Sequence, residues 1–163
     1  MKTLIDLFKS FKKRGNEEAF VYRTGIRRFT FKYIELYKLS LQMASYLKEQ
    51  GIKKGDKVAI WAPNSPSWAF SYFGILLAGA IVVPIDFAGG KNRAETIVKL
   101  SQAKFIIQSI YKFEKQKNVK TVMIEDLIFI LKSFDPIKKI IQPNILDIAE
   151  IFYTSGTTGD PKG

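Results

Sequence analysis

Apolar residues recur at two different spacings along this chain, and each change of spacing marks a new element. From Thr3 to Arg14, Leu4, Ile5, Leu7, Phe8 and Phe11 share one helical face, with Lys9, Lys12 and Lys13 mostly opposite. Thr3 and Asp6 form a capping pair at the start, and Gly15 ends the helix. Ala19–Arg23 and Arg27–Phe31 read as two strands joined through Thr24-Gly25-Ile26, a hairpin. Thr30 then caps a long helix to about Gln50, closed by Gly51, with Ile34, Leu36, Leu39, Met43, Ala44 and Leu47 at core spacing. Ile52–Asp56 is a polar turn and Val58–Trp61 a short apolar strand. Asn64, Ser65 and Pro66 open a helix over Ser67–Ala78, stopped by Gly79.

Ala80–Ile85 reads as strand, Phe87–Lys91 as loop, Arg93–Ser101 as helix and Lys104–Gln108 as strand. Beyond the polar Lys112–Lys120, Thr121–Ile124 is strand and Glu125–Phe134 helix; Asp135–Asn144, with two prolines, connects to a last strand, Ile148–Tyr153. Strands alternating with helices predict an α/β fold: a mostly parallel sheet flanked by helices, with a small N-terminal hairpin. Ile148, Ile151, Phe152 and Tyr153 have no following strand in the 163 residues, so an exposed apolar edge and self-association are expected.

Composition narrows the chemistry. The chain has no cysteine and no histidine, which removes a thiol nucleophile, a disulfide scaffold and the usual zinc ligands. The formal net charge is +11, and residues 1–57 carry most of it, with 14 Lys/Arg against 6 Asp/Glu. Such a balance suits anionic lipid, nucleic acid or a polyphosphate, or is simply a solvated lysine-rich surface. The aromatics fall at core spacing rather than in basic stripes, so no nucleic-acid partner is expected. The basic helix Thr3–Arg14 allows two readings, peripheral membrane contact or packing on its own domain. Its charges leave no uninterrupted apolar centre for a signal peptide, and Trp68–Val83 falls short of a membrane crossing. A cytoplasmic protein, peripheral at a membrane at most, is expected.

The most informative stretch is Y-T-S-G-T-T-G-D-P-K-G, Tyr153–Gly163. Gly156 and Gly159 let several backbone N–H groups converge on one point. Thr154, Ser155, Thr157 and Thr158 add hydroxyl donors, Lys162 a positive charge, and Pro161 stiffens the turn before it. This chemistry suits a phosphate chain. A Walker loop does not fit, because Pro161 stands where its second glycine belongs, and G-x-G-x-x-G is absent. Composition alone also allows a flexible Gly/Ser/Thr tail.

The full string resembles the phosphate-binding signature of the AMP-forming adenylating enzymes: acyl-CoA synthetases, adenylation domains of peptide synthetases and luciferases. The lead-in D-I-A-E-I-F (Asp147–Phe152) is similar to theirs, as are Phe29–Leu36, Gly55–Trp68 and Gly74–Asp86, in the family's order. Phe87–Arg93 departs from the family's usual proline-containing segment. The resemblance implies an enzyme that joins ATP to a carboxylic acid, releases pyrophosphate, and passes the acyl group from the adenylate to a thiol such as that of coenzyme A or an acyl-carrier protein. It implies that Thr154, Ser155, Gly156, Thr157, Thr158, Gly159 and Lys162 grip the β- and γ-phosphates, with Thr154 helping to hold Mg²⁺. Pro161 and Gly163 would be hinge points, and Asp160 is reminiscent of long-chain fatty acyl members. By the same resemblance, residues 1–163 are one incomplete domain with the phosphate loop, 153–163, at its C-terminal end. The catalytic lysine and the adenine, ribose and acyl pockets would lie outside it, leaving the fragment alone inactive. The alternative is a free-standing, non-catalytic module that binds a nucleotide, an anion or an acidic partner.

Overall fold

The computed structural model describes residues 3–112, 119–155 and 161–163. Helix α1 (Leu4–Arg14) starts where expected: the Asp6 N–H donates to Thr3 Oγ1 and the Thr3 N–H to Asp6 Oδ2, each at 3.2 Å. Its Ile5, Phe8 and Phe11 are buried, while Lys9, Lys12 and Lys13 are exposed. The apolar face is thus taken up inside the domain and is not presented to a bilayer. No helix among the described residues is long and apolar enough to cross a membrane.

Strands β1 (Glu18–Thr24) and β2 (Arg27–Lys32) form the expected antiparallel hairpin around Gly25-Ile26, with Gly25 at φ +61°. Thr30 is not a helix cap. It lies inside β2 opposite Val21, because the ladder continues to the Glu18–Lys32 pair. Helix α2 (Tyr33–Glu49) begins after it, and the Lys32 N–H donates to the Glu35 carboxylate at 2.7 Å.

Four strands, β3 (Lys57–Trp61), β4 (Ile81–Pro84), β5 (Phe105–Gln108) and β6 (Lys120–Met123), form an all-parallel sheet in the order β4-β3-β5-β6. Helix α3 (Pro66–Leu77) joins β3 to β4, with Ser65 Oγ accepting the Trp68 N–H at 3.1 Å. Helix α4 (Lys91–Ser101) carries the chain back across to β5. The strand period of two separates the sheet's side chains into two layers. Val58, Ile60, Val82, Phe105 and Ile107 join the core under α1, α2 and α3. Ala59, Trp61, Val83 and Ile106 meet Ala94, Ile97 and Val98 of α4.

The α1 side is closed by aromatic contacts. Phe8 stacks on Tyr37 with ring centroids 4.8 Å apart, and Phe11 meets Phe73 edge-on at 4.9 Å. Full burial of Phe8 contributes about 1.5–3 kcal/mol. The helix expected over Glu125–Phe134 is a single turn, α5 (Leu127–Ile130), followed by a 3₁₀ turn over Leu131–Ser133. Past this turn the Gln42 amide donates to the carbonyls of Leu131 (3.0 Å) and Phe134 (2.8 Å), tying the segment to α2.

The strand expected over Ile148–Tyr153 is reduced to one parallel bridge between Glu150 and Val82. The Val82 N–H donates to Ala149 at 3.0 Å and the Ile151 N–H to Val82 at 2.9 Å. β4 runs on to Pro84, whose nitrogen has no hydrogen to donate to the next carbonyl, so the pairing stops at Val82, and Ile148 (60%) and Phe152 (59%) remain exposed. The expected apolar edge is therefore present, although a regular strand is not.

Helices α2 and α3 approach so closely that a Cβ added at Gly74 would lie 2.5 Å from both Cβ and Cγ of Met43. Replacing a helical glycine by alanine ordinarily gains about 1 kcal/mol, whereas overpacking a core costs about 1–3 kcal/mol. Because the obstructing atoms lie next to the α2 backbone, the overpacking cost wins. Gly74→Ala is expected to lower unfolding stability in urea by about 1–2 kcal/mol, while Gly90→Ala, with nothing within 4 Å of the added Cβ, stays near wild type.

Candidate phosphate-binding site

All four parallel strands end at one edge of the sheet, and the chain departs from β3 toward β4 and later returns past it to β5. Helices α3 and α4 consequently cover opposite faces, as right-handed crossovers require. The C-terminal edge of such a sheet is where open α/β proteins bind ligands. The bridge at Val82 runs parallel to β4, so it directs residues 151–153 toward that edge. There β7 (Thr154–Ser155) pairs antiparallel with β8 (Pro161–Lys162), with Thr154 opposite Lys162 and Ser155 opposite Pro161. The pairing closes the signature into a loop. Of the residues expected to grip phosphate, Thr154, Ser155 and Lys162 are placed by this hairpin, and Thr154 is exposed. Gly156, Thr157, Thr158, Gly159 and Asp160 lie outside the described residues.

Three contacts root the loop. Arg93, on α4, donates to the Tyr153 carbonyl at 3.3 Å, one residue before Thr154. The Tyr72 hydroxyl, on α3, donates to Glu150 Oε2 at 2.9 Å. Burial, reinforced by the Glu150 carboxylate, pushes the Tyr72 phenol well above its ordinary range, so it acts as a fixed donor. Gly163 packs closely against the Tyr153 ring: an added Cβ would sit 2.8 Å from its Cε1 and Cζ and 3.2 Å from Ile151 Cγ2. The glycine that the resemblance casts as a hinge has here a steric reason to be glycine.

The surroundings of this edge favour an anion. Trp61 Nε1, at the end of β3, and Arg93 Nε are buried donors with no acceptor among the described residues. Lys112 places its ammonium 5.1 Å from the Phe87 ring centroid and 5.7 Å from that of Trp61. Sequence reasoning did not single out Tyr72, Glu150 or Arg93. Tyr72 and Glu150 are 78 residues apart and Arg93 and Tyr153 are 60 apart, and no local spacing reports such contacts.

A magnesium ion suits the loop root. Among the described residues no group of three His, Cys, Asp or Glu could hold a metal. The exposed Thr154 hydroxyl is one neutral oxygen, which fits an ion that takes its other ligands from phosphate oxygens and water.

Loss of the Tyr72–Glu150 hydrogen bond should loosen the approach to the loop. In Tyr72→Phe, the amide of Ile151 is expected to exchange with deuterium about five- to tenfold faster, in line with about 1–1.5 kcal/mol for a half-buried hydrogen bond. Amides of β5 should be unchanged in the same experiment.

Comparison with known proteins agrees with this arrangement. The family model described as AMP-binding enzyme matches residues 7–163. The 4-coumarate–CoA ligase 1 of Petroselinum crispum is 30% identical over 96% of this chain and 31% of its own length. The long-chain-fatty-acid–CoA ligase of Bacillus subtilis (strain 168) is 32% identical over 76% of this chain and 30% of its own length. The fatty acyl-adenylate ligase of L. pneumophila, solved with acyl adenylate and pyrophosphate, superposes with a TM-score of 0.81 at 27% identity, covering 100% of this chain and 30% of that one. The chain thus spans less than a third of the length of either CoA ligase. With the signature loop closed at the carboxyl edge of a parallel sheet and the family model matched over residues 7–163, this chain belongs to the AMP-binding enzyme family.

Proposed function

We propose that these residues are the N-terminal part of an ATP-dependent acid–thiol ligase that activates a carboxylic acid, a fatty acid in particular, and passes it to coenzyme A or an acyl-carrier protein. The observation that carries the reading is the β7–β8 pairing, which closes the Thr154–Lys162 signature at the sheet's ligand-binding edge. The fatty acyl assignment draws on a long-chain-fatty-acid ligase and a fatty acyl-adenylate ligase among the similar proteins. The broader class also includes a 4-coumarate ligase.

In the proposed reaction a carboxylate oxygen attacks the α-phosphorus of ATP. The bond from that phosphorus to the bridging oxygen breaks, and the electron pair leaves with pyrophosphate. The acyl-adenylate is then attacked at its carbonyl carbon by the thiol; the sulfur loses its proton and AMP departs. Negative charge grows on the leaving pyrophosphate, so the loop's donors belong at the β- and γ-phosphates. Thr154, Ser155, Thr157 and Thr158 donate hydroxyls, the loop around Gly156 and Gly159 donates backbone N–H groups, and Lys162 adds positive charge. Thr154 would hold Mg²⁺, which would supply positive charge to neutralise the phosphates. Arg93 and Tyr72 keep the loop root in place through the Tyr153 carbonyl and Glu150. Because the relatives are about three times longer, the 163 residues alone are proposed to lack turnover, with adenine, ribose and acyl pockets supplied by sequence outside them.

ATP–pyrophosphate exchange with a panel of fatty acids tests this. The enzyme containing these residues is expected to exchange label in a fatty-acid-dependent way, and the isolated 163 residues are not. Lys162→Ala should reduce exchange about 10²-fold, the size expected for losing one transition-state charge contact. Wild-type exchange in that variant would remove Lys162 from the phosphate grip.

A further inference from the structure

We propose that the β1–β2 hairpin is a docking surface for anionic lipid bilayers. Directly paired residues of antiparallel strands point to the same face, so Phe20, Phe31, Tyr22 and Phe29 form one aromatic face. Phe20 and Phe31 lie against the core. Tyr22 and Phe29 continue that face past the body of the domain, stacked at 5.2 Å between centroids and 49% and 40% exposed. Ile26 at the turn is 103% exposed, and Val21 on the other face is 47% exposed.

Charge identifies the occupant. Residues 21–30 hold Arg23, Arg27 and Arg28 and no acidic residue. Arg23 stands directly opposite Arg28, a like-charge pair that disfavours the hairpin. Glu18 neutralises Arg28 with contacts of 2.6 and 2.8 Å, but among the described residues no carboxylate pairs with Arg23 or Arg27. An apolar tip flanked by unpaired arginines matches an anionic interface: the tip enters the acyl boundary while guanidinium groups remain among the headgroups. From Ile26 back to Phe29 is roughly 10 Å at about 3.3 Å per residue, within reach of an interfacial depth of about 5–10 Å. Nucleic acid fits less well, because Tyr22 and Phe29 stack on each other rather than standing free for bases, and the tip is aliphatic. The apolar face of α1 is buried, so that helix offers a bilayer only charge.

The inference concerns binding and holds or fails independently of catalysis. These 163 residues have no cysteine, so in the full protein, with any cysteine outside them replaced by serine, Ile26→Cys gives a single thiol for an environment-sensitive fluorophore. With phosphatidylcholine vesicles containing about 30 mol% phosphatidylserine, the label should shift to the blue and be quenched by shallow lipid-borne quenchers. Neutral vesicles should leave it unchanged. In sedimentation, Arg23→Gln with Arg27→Gln should weaken partitioning about 20- to 30-fold, from roughly fivefold per arginine. Ile26→Ser, which keeps every charge, should weaken it further. An unshifted label in the presence of bound vesicles would overturn the proposal, as would sedimentation indifferent to both sets of changes. Hairpin-dependent binding of a single-stranded oligonucleotide without vesicle binding would also overturn it.

Discussion

Parallel strands must all be re-entered from the same end, and both faces of the sheet they form must be covered. That constraint organises this chain. The β3–β4 and β4–β5 crossovers each carry a helix, and because β4 and β5 flank β3 on opposite sides, α3 and α4 are sent to opposite faces. It also leaves every strand's carboxyl end, and every loop that follows, at one edge. The phosphate loop reaches this edge by borrowing the direction of β4: two backbone hydrogen bonds at Val82 set residues 149–151 parallel to it. A segment too short to be a strand therefore inherits the sheet's polarity.

The two layers differ in how firmly they are built. On one face three helices share an aromatic core and the Gly74–Met43 approach, a contact that admits no extra methyl group. On the other face α4 is, among the described residues, the one helix packed on the sheet, and its Arg93 reaches the Tyr153 carbonyl. The loop root is consequently held from both layers, by Tyr72 of α3 and Arg93 of α4. Rigid support at the root is the arrangement that a phosphate grip needs, since donors must be pre-positioned before charge develops.

The hairpin follows a different logic. It belongs to no layer of the main sheet, and only its base is anchored, through Phe20 and Phe31. A protein carrying +11 overall can place arginine almost anywhere on its surface. Glu18 neutralises Arg28, whereas Arg23 and Arg27 have no carboxylate partner among the described residues, and such charge beside stacked, half-exposed rings makes physical sense where a negative surface meets it.

Much was legible in the sequence because local physics decided it. The Thr3–Asp6 box, the Gly25 turn, the Ser65-Pro66 helix start and the strand–helix alternation are set by residues within a few positions of one another. The phosphate signature was readable for the same reason: its chemistry lies within eleven consecutive residues. Where reading failed, a distant partner intervened. Thr30 has the chemistry of a cap, but pairing with β1 keeps it extended. Glu125–Phe134 has helical spacing, but it forms one α-helical turn and a 3₁₀ turn, with its last carbonyls bonded to Gln42, far earlier in the chain. Ile148–Tyr153 has strand composition, but β4 offers it one bridge. The amino-acid sequence by itself determined most of the helices and strands and what chemistry the loop carries, because those depend on neighbours in the chain. Only the tertiary structure decided where the loop stands and which groups hold it, because hydrogen bonds such as Tyr72–Glu150 and Arg93–Tyr153 depend on distance in space.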